Sequence, residues 1–112
     1  MKTITWEEFE NIELRVGTIV EIEDFPEAKD PAYKMKIDFG EELGIKTSSS
    51  QITHHYTKEE LLGQQVIGVV NFPPKKVGKY VSECLVTGFK DKDGDIVIAR
   101  PDKKVPNGEK LY

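Results

Sequence analysis

The feature that most limits how this chain can fold is a proline pair set between two apolar runs. Gln65-Val-Ile-Gly-Val-Val70 and Cys84-Leu-Val-Thr87 flank the segment Asn71-Phe-Pro-Pro-Lys-Lys-Val-Gly-Lys-Tyr-Val-Ser-Glu83. Each run reads as a buried strand. Pro73 and Pro74 fix φ and lack an N–H, so neither can sit inside a central ladder. The segment between the runs must therefore leave the sheet, and leave it stiffly. It holds Lys75, Lys76 and Lys79 beside Asn71 and Ser82. That pairs phosphate-neutralising charge with groups able to bond a base or ribose. The plainer alternative is a solvated turn.

The remaining pattern is that of a small barrel. Tyr33, Met35, Ile37 and Phe39 alternate with Lys34, Lys36 and Asp38, the clearest strand in the chain. In Leu14–Glu23, Leu14, Val16, Val20 and Ile22 share a parity and are expected to face inward, with Gly17 marking a bend or bulge. Ile45–Ile52 contains Thr47, Ser48, Ser49 and Ser50 in a row. A strand buried on both faces would not hold four hydroxyls, since each needs a partner. It is either a polar edge strand or the wall of a hydroxyl-lined groove. Thr5-Trp-Glu-Glu8 and Thr57-Lys-Glu-Glu60 are capping boxes. They predict short helices to about Asn11 and over Lys58–Leu62, with Gly63 as the C′ residue. Trp6 and Phe9 share a face of the first helix. They are expected to cross one end of the barrel or to meet another subunit. Val81–Thr87 is expected as one strand, and Asp93-Gly94 turns the chain into Ile96–Ala99. Pro101 and Pro106 keep the tail irregular.

This order predicts an all-β chain: a five-stranded OB-fold Greek-key barrel forming a single domain over residues 1–112. A short helix precedes the strands, another lies between the third and fourth, and an extension follows. Another small β-barrel is the alternative.

Composition narrows the chemistry. A length of 112 residues suits one domain. The net charge of −4 argues against bulk attraction to nucleic acid but leaves room for a local basic patch. The single cysteine, Cys84, excludes an internal disulfide and a multi-thiolate metal site. No charged-then-apolar leader or spanning run is present, so a soluble cytoplasmic protein is expected. His54 and His55 are adjacent and diverge on any regular element, so they cannot share a metal as an i, i+4 pair does. Asp91-Lys-Asp-Gly-Asp95 places its glycine wrongly for a calcium loop and is expected to be a hairpin turn. No glycine-rich phosphate loop occurs. The expectation is a binding protein, not an enzyme, with no cofactor and no metal.

The ordered motifs Leu14-Arg-Val-Gly-Thr-Ile, Asp38-Phe-Gly40, Tyr56-Thr-Lys-Glu-Glu-Leu-Leu-Gly63, Val70-Asn-Phe-Pro-Pro-Lys75, Ser82-Glu83 and Val105-Pro-Asn-Gly108 resemble the tRNA-binding domain family. That domain is the appended arm of methionyl-tRNA synthetases and of phenylalanyl-tRNA synthetase β chains. Phe25-Pro-Glu-Ala28, Ile45–Thr53 and Asn71–Lys75 look most like its free-standing protein-secretion chaperones of the CsaA type. The resemblance implies an OB-fold, a homodimer, a tRNA-binding surface and, for the CsaA branch, binding of unfolded or exported polypeptides. It implies RNA contacts at Lys46, Ser50, Asn71, Lys75 and Ser82. The residues themselves add Ser48, Ser49, Gln51, Lys76, Lys79 and Glu83, the last as an orienter of a neighbouring lysine. Where the wider family has a Gly-Met pair this chain has Cys84-Leu85, leaving an apolar contact from Leu85. A rival reading is an export chaperone with no RNA role, gripping peptide at Phe72 and Tyr80. Trp6, Phe9, Val105, Leu111 and Tyr112 are the candidate dimer contacts.

Overall fold

The computed structural model describes all 112 residues. Both capping boxes form. Thr5 caps α1 (Trp6–Glu10) and Thr57 caps α2 (Lys58–Leu61), each exchanging bonds with the glutamate at the third helical position. The strands are β1 (Leu14–Asp24), β2 (Tyr33–Asp38), β3 (Ile45–Ser50), β4 (Gln65–Val69), β5 (Lys75–Val77), β6 (Tyr80–Ser82), β7 (Leu85–Val86), β8 (Gly88–Lys90) and β9 (Ile96–Ile98). Five of them form an antiparallel sheet in the order β3-β2-β1-β4-β7. The sheet curls until its two edges nearly meet. There the N–H groups of Glu83 and Cys84 both donate to the Thr47 carbonyl, at 2.8 and 3.2 Å. The result is the nearly closed five-stranded barrel of an OB-fold, with α2 between β3 and β4.

The alternation read in β2 holds, and Tyr33, Met35, Ile37 and Phe39 are all buried in the core cluster. The inward set expected for β1 does not hold. β1 carries a bulge between Ile19 and Glu21, so Val20 is an extra residue and lies 45% exposed. Ahead of the bulge it is Gly17 and Ile19 that face the core. Leu14 and Val16 lie on the outer side, beneath Val105 and Leu111 of the tail. The bulge resets the parity, which is why Ile22 still packs on the core. Gly17 is therefore not itself the bulge. A Cβ there would sit 2.6 Å from Ile37 Cγ2 and 2.7 Å from the Phe39 ring. At Gly68 of β4 a Cβ would meet the same ring at 2.9 Å. Two glycines thus make room for one fully buried phenylalanine.

The expected strand Val81–Thr87 is divided. Its first part is β6, which pairs with β5 around a Gly78-Lys79 turn. Gly78 has φ 62°, as a two-residue hairpin with glycine first requires. The second part is β7, which pairs with β4. Glu83 and Cys84 between them turn onto Thr47. The tail is irregular but tightly held. The Gln65 amide clasps Val105, accepting from its N–H at 3.1 Å and donating to its carbonyl at 2.6 Å. Further on, Arg15 and Lys110 form an antiparallel bridge.

Candidate nucleic-acid interface

The hydroxyl strand and the proline-braced lysines fold onto each other. Thr47 donates its hydroxyl to the Val81 carbonyl at 2.6 Å, and Ser49 N–H donates to Ser82 Oγ at 3.1 Å. These bonds draw the β5–β6 hairpin along β3 and leave a groove between them. Ser49, Gln51, Lys75, Lys76, Ser82, Glu83 and Phe72 line it. Its floor and far wall include Cys84, Leu85 and Pro73, with Ala28, Lys29 and Asp30 from the β1–β2 loop. In an OB-fold the strand 2–3 face and the loops after strands 1 and 4 form the usual nucleic-acid surface. The groove lies at that place.

Strand register divides the rest of the candidates. Ser48 stands opposite Met35, on the inward parity, and is 1% exposed. Its hydroxyl donates to the Cys84 carbonyl at 3.1 Å and shares a hydrogen with Ser50 Oγ at 3.2 Å. Ser48 is thus withdrawn from any ligand. Ser50 and Lys46 share that parity, opposite Tyr33 and Ile37, and do not line the groove. Ser49, opposite Lys34, faces outward into it.

Asn71 has a different part from the one expected. Its amide oxygen accepts from Glu13 N–H at 3.1 Å and its nitrogen donates to the Asn11 carbonyl at 2.8 Å, tying the end of α1 to the barrel. Nor does Glu83 orient a lysine. Its Oε1 accepts from the Thr47 N–H at 2.9 Å and, also at 2.9 Å, takes a share of the hydroxyl hydrogen that Thr47 gives mainly to the Val81 carbonyl. Those two bonds, and more weakly the Lys46 charge, hold its carboxyl below the usual range. Lys79 sits at the hairpin tip, outside the groove.

Tyr80 is packed beneath the hairpin. Its ring meets Phe25 edge-on at 5.5 Å and its hydroxyl donates to the Met35 carbonyl at 3.3 Å. Tyr80 is half-buried and does not line the groove. Phe72, 55% exposed, and Leu85 beside it, 51% exposed, do line it.

Charge favours an anion here. None of Lys29, Lys75, Lys76 and Lys79 takes part in an ion pair of the folded chain. The lysines of β2 are different: Lys34 pairs with Glu23 and Lys36 with Glu21. Lys29 is the residue that sequence reasoning missed. Its signal was the Pro26…Pro31 loop, a second braced connection opposite the first. Cys84 lies buried with its thiol pushed up to about 11 by burial, an inert group at the groove floor.

The family model described as "Putative tRNA binding domain" matches residues 14–110. The chain belongs to the tRNA-binding domain family. Relatives of this family member include methionine–tRNA ligases of Porphyromonas gingivalis, 37% identical over 96% of the chain, and of Pyrococcus furiosus, 37% identical over 99%. The chain spans only 15% of the length of each ligase. Among solved structures, the crystal structure of chaperone CsaA from Bacillus anthracis superposes with TM-score 0.92 at 47% identity, covering 99% of this chain and all of that one. CsaA from Picrophilus torridus gives 0.90, also at 47% identity, with 98% and full coverage. A protein related to methionyl-tRNA synthetase from Pyrococcus horikoshii gives 0.87 at 27% identity over the full length of both.

Proposed function

We propose that this groove binds tRNA or another structured RNA, and that the chain works in the cytoplasm as a homodimer with a chaperone role in protein export. The observation that carries the RNA reading is the Ser49–Ser82 bond, because it lays a hydroxyl-bearing strand beside lysines free of ion pairs. Phosphates would be met by Lys75, Lys76 and Lys29, with Lys46 and Lys79 adding charge from its margins. Ribose or base edges would be met by Gln51, Ser49 and Ser82. The likeness to ligases that append such a domain supports tRNA as the RNA. The likeness to CsaA chaperones, together with exposed Phe72 and Leu85, supports a polypeptide as a second occupant. No catalytic step is assigned to the groove.

The test is a titration of tRNA at low and moderate salt, repeated with an unfolded polypeptide as competitor. Displacement of each ligand by the other, with only tRNA affinity falling as salt rises, supports one shared groove. A polypeptide bound tightly with no measurable tRNA affinity at low salt leaves the pure peptide-chaperone reading in its place.

A further inference from the structure

Outside the groove, the fold assembles a donor set from residues far apart in sequence. His54 and His55 occupy the irregular stretch before α2, where the backbone bends and their rings lie 82° apart with centroids at 5.0 Å. Both then turn towards the β8–β9 hairpin. His55 Nε2 lies 2.6 Å from Asp91 Oδ2, and His54 Nε2 lies 3.4 Å from Asp95 Oδ2. The donor atoms of His55, Asp91 and Asp95 all fall within 4.8 Å of one another. We propose that His55, Asp91 and Asp95, with water as the fourth ligand, bind one divalent transition-metal ion of the zinc class.

Three physical points carry the assignment. The first is the donor chemistry. An imidazole with two carboxylates suits zinc, cobalt or nickel, whereas magnesium and calcium take oxygen-only shells. The second is spacing. Tetrahedral ligands about 2.0–2.1 Å from zinc lie roughly 3.3 Å apart. His55 Nε2 and Asp91 Oδ2, at 2.6 Å, need to open by only about 0.7 Å to reach it, and no two of the three donor atoms lie farther apart than 4.8 Å. The third is the second shell. Asp91 is fixed because its Oδ1 accepts from the N–H groups of Asp93 and Asp95, at 2.8 and 3.0 Å. That leaves Oδ2 aimed at the imidazole, the outer-shell support that metal-binding carboxylates ordinarily have. A surface cleft bordered by Gln51, Thr53, His54 and Asp95 gives an ion a way in. Lys90 also borders this cleft but is exposed, with a stem long enough to turn to solvent.

On binding, His55 exchanges its contact with Asp91 for the metal, and any proton shared by that pair leaves to solvent. The ion would staple the β8–β9 hairpin to the loop ahead of α2, joining residues 36 apart in sequence. The one thiol does not compete, because Cys84 is buried elsewhere.

The experiment uses the untagged, full-length protein stripped with EDTA and titrated with Zn²⁺ by calorimetry. Co²⁺ absorption serves as a report on coordination, and melting curves are recorded with and without metal. The expected result is one ion per chain, a tetrahedral cobalt spectrum and a melting point raised on the order of 10 °C at saturating zinc. His55→Gln and Asp95→Asn should each weaken binding tenfold or more, while their metal-free melting points stay near the parent's. No saturable binding, or equal binding by both variants, overturns the proposal. Should a variant fail to fold, imidazole NMR of the unmodified protein decides. Zinc-induced shifts at His55 support the site, and shifts confined elsewhere overturn it.

Discussion

Ser48 and Ser49 are neighbours that strand geometry sends in opposite directions. Ser48 completes the core edge by bonding the Cys84 carbonyl, while Ser49 fixes the hairpin and borders the groove. Ser48→Ala should therefore cost about 1 kcal/mol of stability, the usual net worth of one hydrogen bond. It should leave RNA affinity unchanged, whereas Gln51→Ala should lower affinity with stability unchanged. Denaturant melts and tRNA titrations of the two variants check the contrast. Glu83 makes a pH prediction. Its folded carboxyl is held below its ordinary value of 4.5 by Thr47. The stabilisation it gives is complete above that value and is lost as pH falls through the lowered one. The parent's stability advantage over Glu83→Gln should therefore shrink as melts are taken from neutral pH to acid. An advantage that is constant with pH would contradict the assignment.

At the scale of elements, Phe39 packs against Gly17 of β1 and Gly68 of β4, where a Cβ would lie under 3 Å from its ring. A methyl at Gly17 has no room, so Gly17→Ala should destabilise by about 1–3 kcal/mol, as overpacking generally does. Urea unfolding measures this. The same elements mark what could be read from the chain. The β2 alternation was legible because its odd-numbered residues Tyr33–Phe39 all face one buried side. The capping boxes were legible because their bonds span three residues. The parity of β1 was not, because it pairs with β2, β4 and the tail along different parts of its length. A one-residue bulge then moves every later side chain across the sheet. The β5–β6 hairpin was hidden by the prolines ahead of it, although Gly78 between Lys75–Val77 and Tyr80–Ser82 was its signal. The intramolecular bonds of Asn71 and Glu83 were hidden for a related reason. Their partners lie 60 and 36 residues away, and only tertiary structure supplies them. The opposition of hydroxyl strand and lysine hairpin followed from the OB topology, and the groove forms there.

At the scale of the whole molecule, α1 has no buried residue, and Trp6 stands 68% exposed against Phe9. Lys110 ties the tail to the end of this helix by donating to the Glu10 carbonyl at 2.9 Å. Leu111 and Tyr112, both exposed, follow directly. An uncovered aromatic pair next to an apolar chain end is what a self-association face needs. Sedimentation should give twice the chain mass for the parent and a shift to monomer for Trp6→Glu. A parent that is monomeric at all concentrations would contradict the dimer.

The chain as a whole is acidic, at −4, yet it gathers lysines without ion pairs along one groove. Affinity for RNA should therefore depend on those few charges. The most direct measurement is tRNA binding by Lys75→Glu/Lys76→Glu and by the parent, across salt from about 50 to 200 mM. The account predicts at least a tenfold loss of affinity at the low end and a salt slope shallower by about 1.4, from two phosphate contacts at ~0.7 each. Equal affinity and equal slope for the two proteins would contradict it.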